Sequence, residues 1–234
     1  MPCSETFYFK HFKVCQDDVL MKITTDAILL GTVIETANTH TGLDIGTGSG
    51  VIALIIAQRN PFILLDAIEP HYSSYQQANK NFKNAPFSDR LHVYPKRLQD
   101  FTPRKQYDLI ISNPPFFDSS QTEKNNPARH THFLSINNIF SFVSRYLQSQ
   151  GTCSIIFPAD KHNEVLESAY LHDLFPSKRI EIQDHPSAKI KRTVWSFVKN
   201  IHRKYEEKTL LLFDKNGTRT NEFHRLTKNF LLDE

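Results

Sequence analysis

The chain has 234 residues, with 28 Lys and Arg against 25 Asp and Glu and a net charge of +3. That length suits one domain with a sizeable core, no apolar run approaches a membrane span, and so slight a charge does not by itself call for a polyanionic partner. The three cysteines (Cys3, Cys15, Cys153) and the 11 histidines show no metal-ligand spacing, and the start lacks the basic-then-apolar pattern of a signal peptide, so the expectation is a cytoplasmic monomer with reduced thiols, no metal and Cys153 packed in a strand.

Residues 7–15 alternate aromatic and polar and read as a short strand or hairpin arm. Thr24 to Thr36 reads as a helix, with Thr24 or Thr25 as N-cap and Asp26 in the first turn. Strands are then expected near 42–46, 63–69, 90–95 and 107–113, with helices near 49–59 and 71–83. Residues 117–133, rich in Asn, Ser, Thr and Gln, read as a long loop, and loops of that length usually carry function. Then come a helix over Ile136 to Leu147, a strand over Gly151 to Phe157 and a helix over Ala159 to His172. Strands near 178–184 and 193–201 are expected as an antiparallel pair at one edge, followed by a small strand and turn from Thr209. The last helix carries Phe223, Leu226 and Phe230 on one face.

This alternation predicts an α/β fold: a Rossmann-like, doubly wound, mostly parallel seven-stranded sheet with short terminal additions. The expected division is an arm and helix over 1–40, a core over 41–202 and an extension over 203–234. In such sheets ligands bind at the carboxyl ends of the strands.

Two strand ends carry the chemistry. Asp44-Ile45-Gly46-Thr47-Gly48-Ser49-Gly50 is a tight loop in which glycines allow positive φ and close approach of a ligand. A dinucleotide fingerprint would need a third glycine where Val51 stands, and Asp44 is ill-suited beside a pyrophosphate. Asp44 suits a cationic or hydroxyl-rich ligand, and Glu69, ending the next strand, can accept from both ribose hydroxyls. The second end is Asn113-Pro114-Pro115-Phe116. Proline removes donors and stiffens the turn, leaving the Asn113 side-chain oxygen and the Pro114 carbonyl to accept from an amino group. Phe116 offers a flat face for a base, worth about 1–3 kcal/mol in single-strand binders. Together the two loops point to methyl transfer from S-adenosylmethionine (AdoMet) to an exocyclic or amide nitrogen.

The chain resembles, along nearly its whole length, the AdoMet-dependent tRNA adenine-N6 methyltransferases that act on adenine 37 of valine tRNA. The resemblance is carried by Phe7 to Phe12, Met21 to Gly31, Leu43 to Gly50, Ala67 to Glu69, Tyr107 to Phe116, Pro127 to His130 and Glu222 to Leu231. It implies that Gly46, Gly48 and Gly50 admit AdoMet, that Thr25, Asp26 and Asp44 border its amino-acid end, and that Glu69 binds its ribose. It departs at Arg97, where the family often has an acid for the cofactor's adenine. Arg cannot accept that hydrogen bond, which leaves backbone groups around Arg97 and Leu98, or a shifted Asp100. The implied partner is the anticodon stem-loop of tRNA, with Lys10, Arg129, His130, Lys189, Lys191 and Arg192 on phosphate.

Other acceptors fit the same loop. Release-factor glutamine enzymes usually carry a separate N-terminal helical domain, and ribosomal guanine-N2 enzymes a duplicated or differently extended one. DNA adenine enzymes usually have a sizeable target-recognition region. A non-catalytic AdoMet- or RNA-binding module would not need Asn113-Pro114-Pro115, and a dehydrogenase is disfavoured by Val51.

Overall fold

The computed structural model describes residues 3–115 and 134–232. An antiparallel hairpin, β1 (Thr6–Tyr8) and β2 (Lys13–Cys15), precedes helix α1 (Thr25–Val33). The core follows as β3 (Thr41–Ile45), α2 (Val51–Arg59), β4 (Leu64–Ile68), α3 (Tyr72–Lys83), β5 (Leu91–Tyr94) and β6 (Tyr107–Ser112). It continues with α4 (Ile136–Tyr146), β7 (Leu147–Pro158), α5 (His162–Tyr170), β8 (Phe175–Gln183), β9 (Arg192–Val198), β10 (Glu206–Leu211) and α6 (Asn221–Thr227).

The central sheet runs in the order β10-β8-β9-β7-β6-β3-β4-β5. The pairs from β7 through β5 are parallel, β9 is antiparallel to both of its neighbours, and β10 lies parallel to β8. Among the described residues the sheet therefore has eight strands rather than the expected seven, and the β8–β9 pair is one strand in from the edge. The reason is β10: its pairing with β8 buries Leu210 and carries the edge outward.

Sheet strands buried on both faces read as unbroken apolar runs. In β6, Leu109 and Ile111 join the core with α1 and α2, whereas Ile110 joins the core with α4 and α5. The first core also takes in Phe9, Phe12 and Val14 from the arm and Phe223 and Phe230 from the C-terminal segment. Helix α2 is buried along Val51 to Ala57, so its glycine-loop start is held by packing and not by propensity alone.

Cys3 and Cys15 are joined in a disulfide, and only Cys153, buried in β7, is a free thiol. This corrects the expectation of three reduced thiols. Cys15 pairs across the hairpin with Thr6, which brings the two cysteines to a Cα separation of 5.9 Å despite their distance in sequence.

Candidate active site

The registers decide where the chemistry gathers. Ile45 pairs with Ile68 on one side and with Ser112 on the other, so the segments that follow β3, β4 and β6 emerge together. One cavity there is lined by Gly46, Thr47, Gly48, Ser49, Glu69, His71, Asn113 and Pro115, with Lys96 to Gln99 on one flank and Leu20 to Thr24 on another.

The glycine loop is shaped by its backbone. Gly46, Gly48 and Gly50 have φ of 72°, 57° and 86°, which β-carbon-bearing residues adopt only at a cost of roughly 1–2 kcal/mol. The amides of Gly46 and Thr47 donate to the Ile68 carbonyl at 2.9 and 3.1 Å. A β-carbon on Gly46 or Gly48 would meet nothing within 4 Å, so the loop leaves room for a ligand. At Gly50 it would lie 2.5 Å from Phe82 Cε1, so this glycine serves packing.

Glu69 is 5% exposed. Its Oε2 accepts from the Gly48 amide at 2.9 Å and its Oε1 from the His71 amide at 3.0 Å. Burial raises its pKa above the usual carboxylate value, while these two amides pull the other way. Each oxygen keeps a lone pair for a further donor, which fits a ribose diol.

Asp44 is wholly buried behind the loop. Its Oδ2 accepts from Thr47 Oγ1 at 2.6 Å, and it reaches the cavity through Thr47. Burial pushes its carboxyl up to about 7, with Glu69 adding to the rise and the Thr47 hydroxyl opposing it.

The amino-acid-end residues sort differently from expectation. Thr24 and Ala27 line the cavity, and Thr25 and Asp26 do not. Thr24 is the N-cap of α1, its side chain accepting from the Ala27 amide. Asp26 is turned to Arg192, which also pairs with Asp184 at 2.7 Å. Arg192 is thus engaged by two carboxylates, because β9 begins beside the first turn of α1. A phosphate would have to compete with both.

Arg97 lines the cavity but turns its Nε to Asp100 Oδ2 at 2.7 Å. Leu98, buried, also lines it; Asp100 does not. Asn113 is half-buried and Pro114 buried. Lys189 and Lys191 are exposed on the loop between β8 and β9, and the pairing of Pro158 with Arg192 puts that loop at the same end of the sheet as the cavity. Lys10 lies in the arm, its amide bonded to the Phe230 carbonyl at 2.8 Å. Phe116, Arg129 and His130 lie outside the described residues, as does the expected loop at 117–133.

Leu20, His71 and Ser74 line the cavity without a motif in the sequence to mark them. His71, two residues after Glu69, is the N-cap of α3. The segment Leu20 to Ile23 is strapped over the cavity: the Leu20 amide donates to Ser74 Oγ at 3.1 Å and the Ile23 amide to Gln16 Oε1 at 2.9 Å. Asn81 ties the arm to the glycine loop, donating to the carbonyls of Cys15 at 2.9 Å and Ser49 at 2.8 Å.

The family model described as methyltransferase small domain matches residues 21–180. A tRNA1(Val) (adenine(37)-N6)-methyltransferase of Dyadobacter fermentans is 33% identical, covering 99% of this chain and 99% of that protein. One from Flavobacterium psychrophilum is 35% identical, covering 97% and 99%. Among solved structures, a protein described as a predicted O-methyltransferase from Agrobacterium tumefaciens superposes with a TM-score of 0.70 at 16% identity, over 87% of this chain and 95% of that one. An O-methyltransferase of a Brevibacillus brevis multienzyme, in complex with S-adenosyl-L-homocysteine, gives 0.53 at 15% identity over 76% and 72%. These likenesses speak for the fold.

Proposed function

We infer the function from kinship and geometry together: the chain belongs to the tRNA1(Val) (adenine(37)-N6)-methyltransferase family, and its cavity suits that reaction. It is an enzyme that methylates the N6 amino group of adenine 37 in valine tRNA, with AdoMet as the methyl donor. The observation that carries this reading is that Asn113 and Pro115 open into the same cavity as Glu69 and the glycine loop.

The cofactor fits the residues present. Glu69 meets the ribose diol, and the open space at Gly46 and Gly48 receives the chain beyond it. The flank at Arg97 and Leu98 takes the adenine through backbone groups, since the Asp100 carboxylate is held by Arg97. When bound, AdoMet supplies an electrophilic methyl on its sulfonium.

The protein's own contribution is orientation. The Asn113 side-chain oxygen and the Pro114 carbonyl each accept one N–H of the target amine. This turns its lone pair out of conjugation and aims it in line. Phe116 stacks the base. Since the base lies in a loop, unstacking it costs only a few kcal/mol. Lys189 and Lys191, with Lys10, Arg129 and His130, take phosphate; Arg192 is better regarded as their anchor to α1. The monomer is the working unit.

The test is transfer of tritium from labelled AdoMet to total tRNA, followed by nucleoside analysis. N6-methyladenosine that vanishes with Asn113→Ala supports the assignment. Label on a protein glutamine or an rRNA guanine instead would refute it.

A further inference from the structure

The amino-acid end of AdoMet carries a carboxylate, and three of the residues expected beside it do not neutralise it: Asp26 and Asp44 are acids, and Thr25 does not line the cavity. Among the described residues, the side chains on the cavity wall that can carry positive charge are Lys22, His71, Lys96 and Arg97. Lys96 and Arg97 follow β5, on the far side of β4 from β3 and β6. The His71 amide donates to Glu69 Oε1 at 3.0 Å, which places His71 on the ribose side of the cavity. Because the methyl must face Asn113 after β6, the carboxylate belongs on the β3–β6 side. Lys22 is on the strap that crosses there, between Leu20 tied to Ser74 and Thr24 capping α1.

We propose that Lys22 is a cofactor-positioning residue that binds the carboxylate of the donor's amino-acid end. This rests on the cavity being the AdoMet site. Lys22 Nζ now pairs with Glu5 Oε1 at 2.6 Å, with side-chain exposures of 63% and 44%. Asp17 is the further acid near it. An exposed ion pair is weak, so Lys22 can exchange Glu5 for a ligand carboxylate at little cost. Its four-carbon stem gives it the reach. The same exchange couples the hairpin arm, which carries Glu5, to cofactor occupancy.

The experiment is calorimetric binding of two ligands to the full chain. S-adenosylhomocysteine has the carboxylate, and 5′-methylthioadenosine lacks the whole amino-acid end. Lys22→Met is expected to weaken S-adenosylhomocysteine by about tenfold, the worth of one charge-assisted hydrogen bond in a partly open site, and to leave methylthioadenosine unchanged. Lys22→Arg restores most of the affinity, and Glu5→Gln does not weaken binding. Unchanged S-adenosylhomocysteine affinity in Lys22→Met overturns the proposal. Equal loss for both ligands also overturns it, because Lys22 is then only a tether for the strap. A wild-type chain that binds neither ligand refutes the AdoMet site itself, which is a separate failure.

Discussion

Replacing Glu69 by alanine is the sharpest probe of the cofactor reading. Its carboxylate has two duties. It holds the Gly48 and His71 amides at 2.9 and 3.0 Å, and it faces the cavity from a site only 5% exposed. A hydrogen bond to a charged group is worth about 1.5–3 kcal/mol. If the ribose hydroxyls donate to Glu69, losing even one such bond weakens S-adenosylhomocysteine by roughly 10- to 150-fold. Glu69→Gln should be nearly as damaging, since its amide offers one acceptor oxygen where two amides must be met. A loosened Gly48 turn could mimic this loss, so the assay is a cycle using the 2′-deoxy analogue. Wild type should lose affinity on removal of the hydroxyl, and Glu69→Ala should not. If Glu69→Ala is as sensitive to the missing hydroxyl as wild type, the ribose assignment is refuted.

Other substitutions test separate parts of the argument. Gly50→Ala combines a φ of 86° with a contact at 2.5 Å to buried Phe82, and should cost about 2–4 kcal/mol in urea denaturation; an unchanged midpoint would contradict it. Asp44 has a folded pKa raised to about 7 from 3.8, so its stabilising share is complete below pH 4 and is lost as pH rises towards 7. Stability profiles should show wild type losing up to about 4 kcal/mol relative to Asp44→Asn across that window, and parallel profiles would exclude the raised pKa. Cys3→Ser should lower stability by about 3 kcal/mol, the loop-closure value for a short ring, and a reductant should lower wild type to the same level. Lys189→Ala with Lys191→Ala should reduce the slope of log affinity for tRNA against log salt by about one per residue, whereas a uniform loss at every salt concentration would argue against phosphate contact.

The fold was legible where burial is continuous. Helix α2 and strands β3, β4 and β6 are buried along most of their length, and their order alone requires crossover helices on both faces. Strand β10 was harder to place, because Glu206 to Thr209 are exposed and its partner β8 is reached only through β9. The disulfide was hidden for a similar reason. Hairpin register, not cysteine spacing, brings Cys3 to Cys15. Asp26 was legible as a first-turn acid of α1, but nothing local announces that Arg192 arrives beside it from the start of β9.

In the site, the legible residues are those at strand ends, because their place follows from topology once the strands are known. Glu69, Gly48 and Asn113 need no further information. The strap needs a tie to α3 through Ser74 and another to Gln16, and a single sequence does not pair such residues. This difference bears on the chemistry. The separation between the methyl donor's loop and the amine's acceptors is set by one register, Ile45 against Ser112, reinforced where Ser112 Oγ donates to the Ile45 carbonyl at 2.9 Å. Both residues lie in a sheet core with no exposure above 1%. The rigid part of the molecule therefore fixes the in-line distance. Occupancy of the cofactor end is left to the strap, which is held by hydrogen bonds to Ser74 and Gln16 and by the exposed Lys22–Glu5 pair.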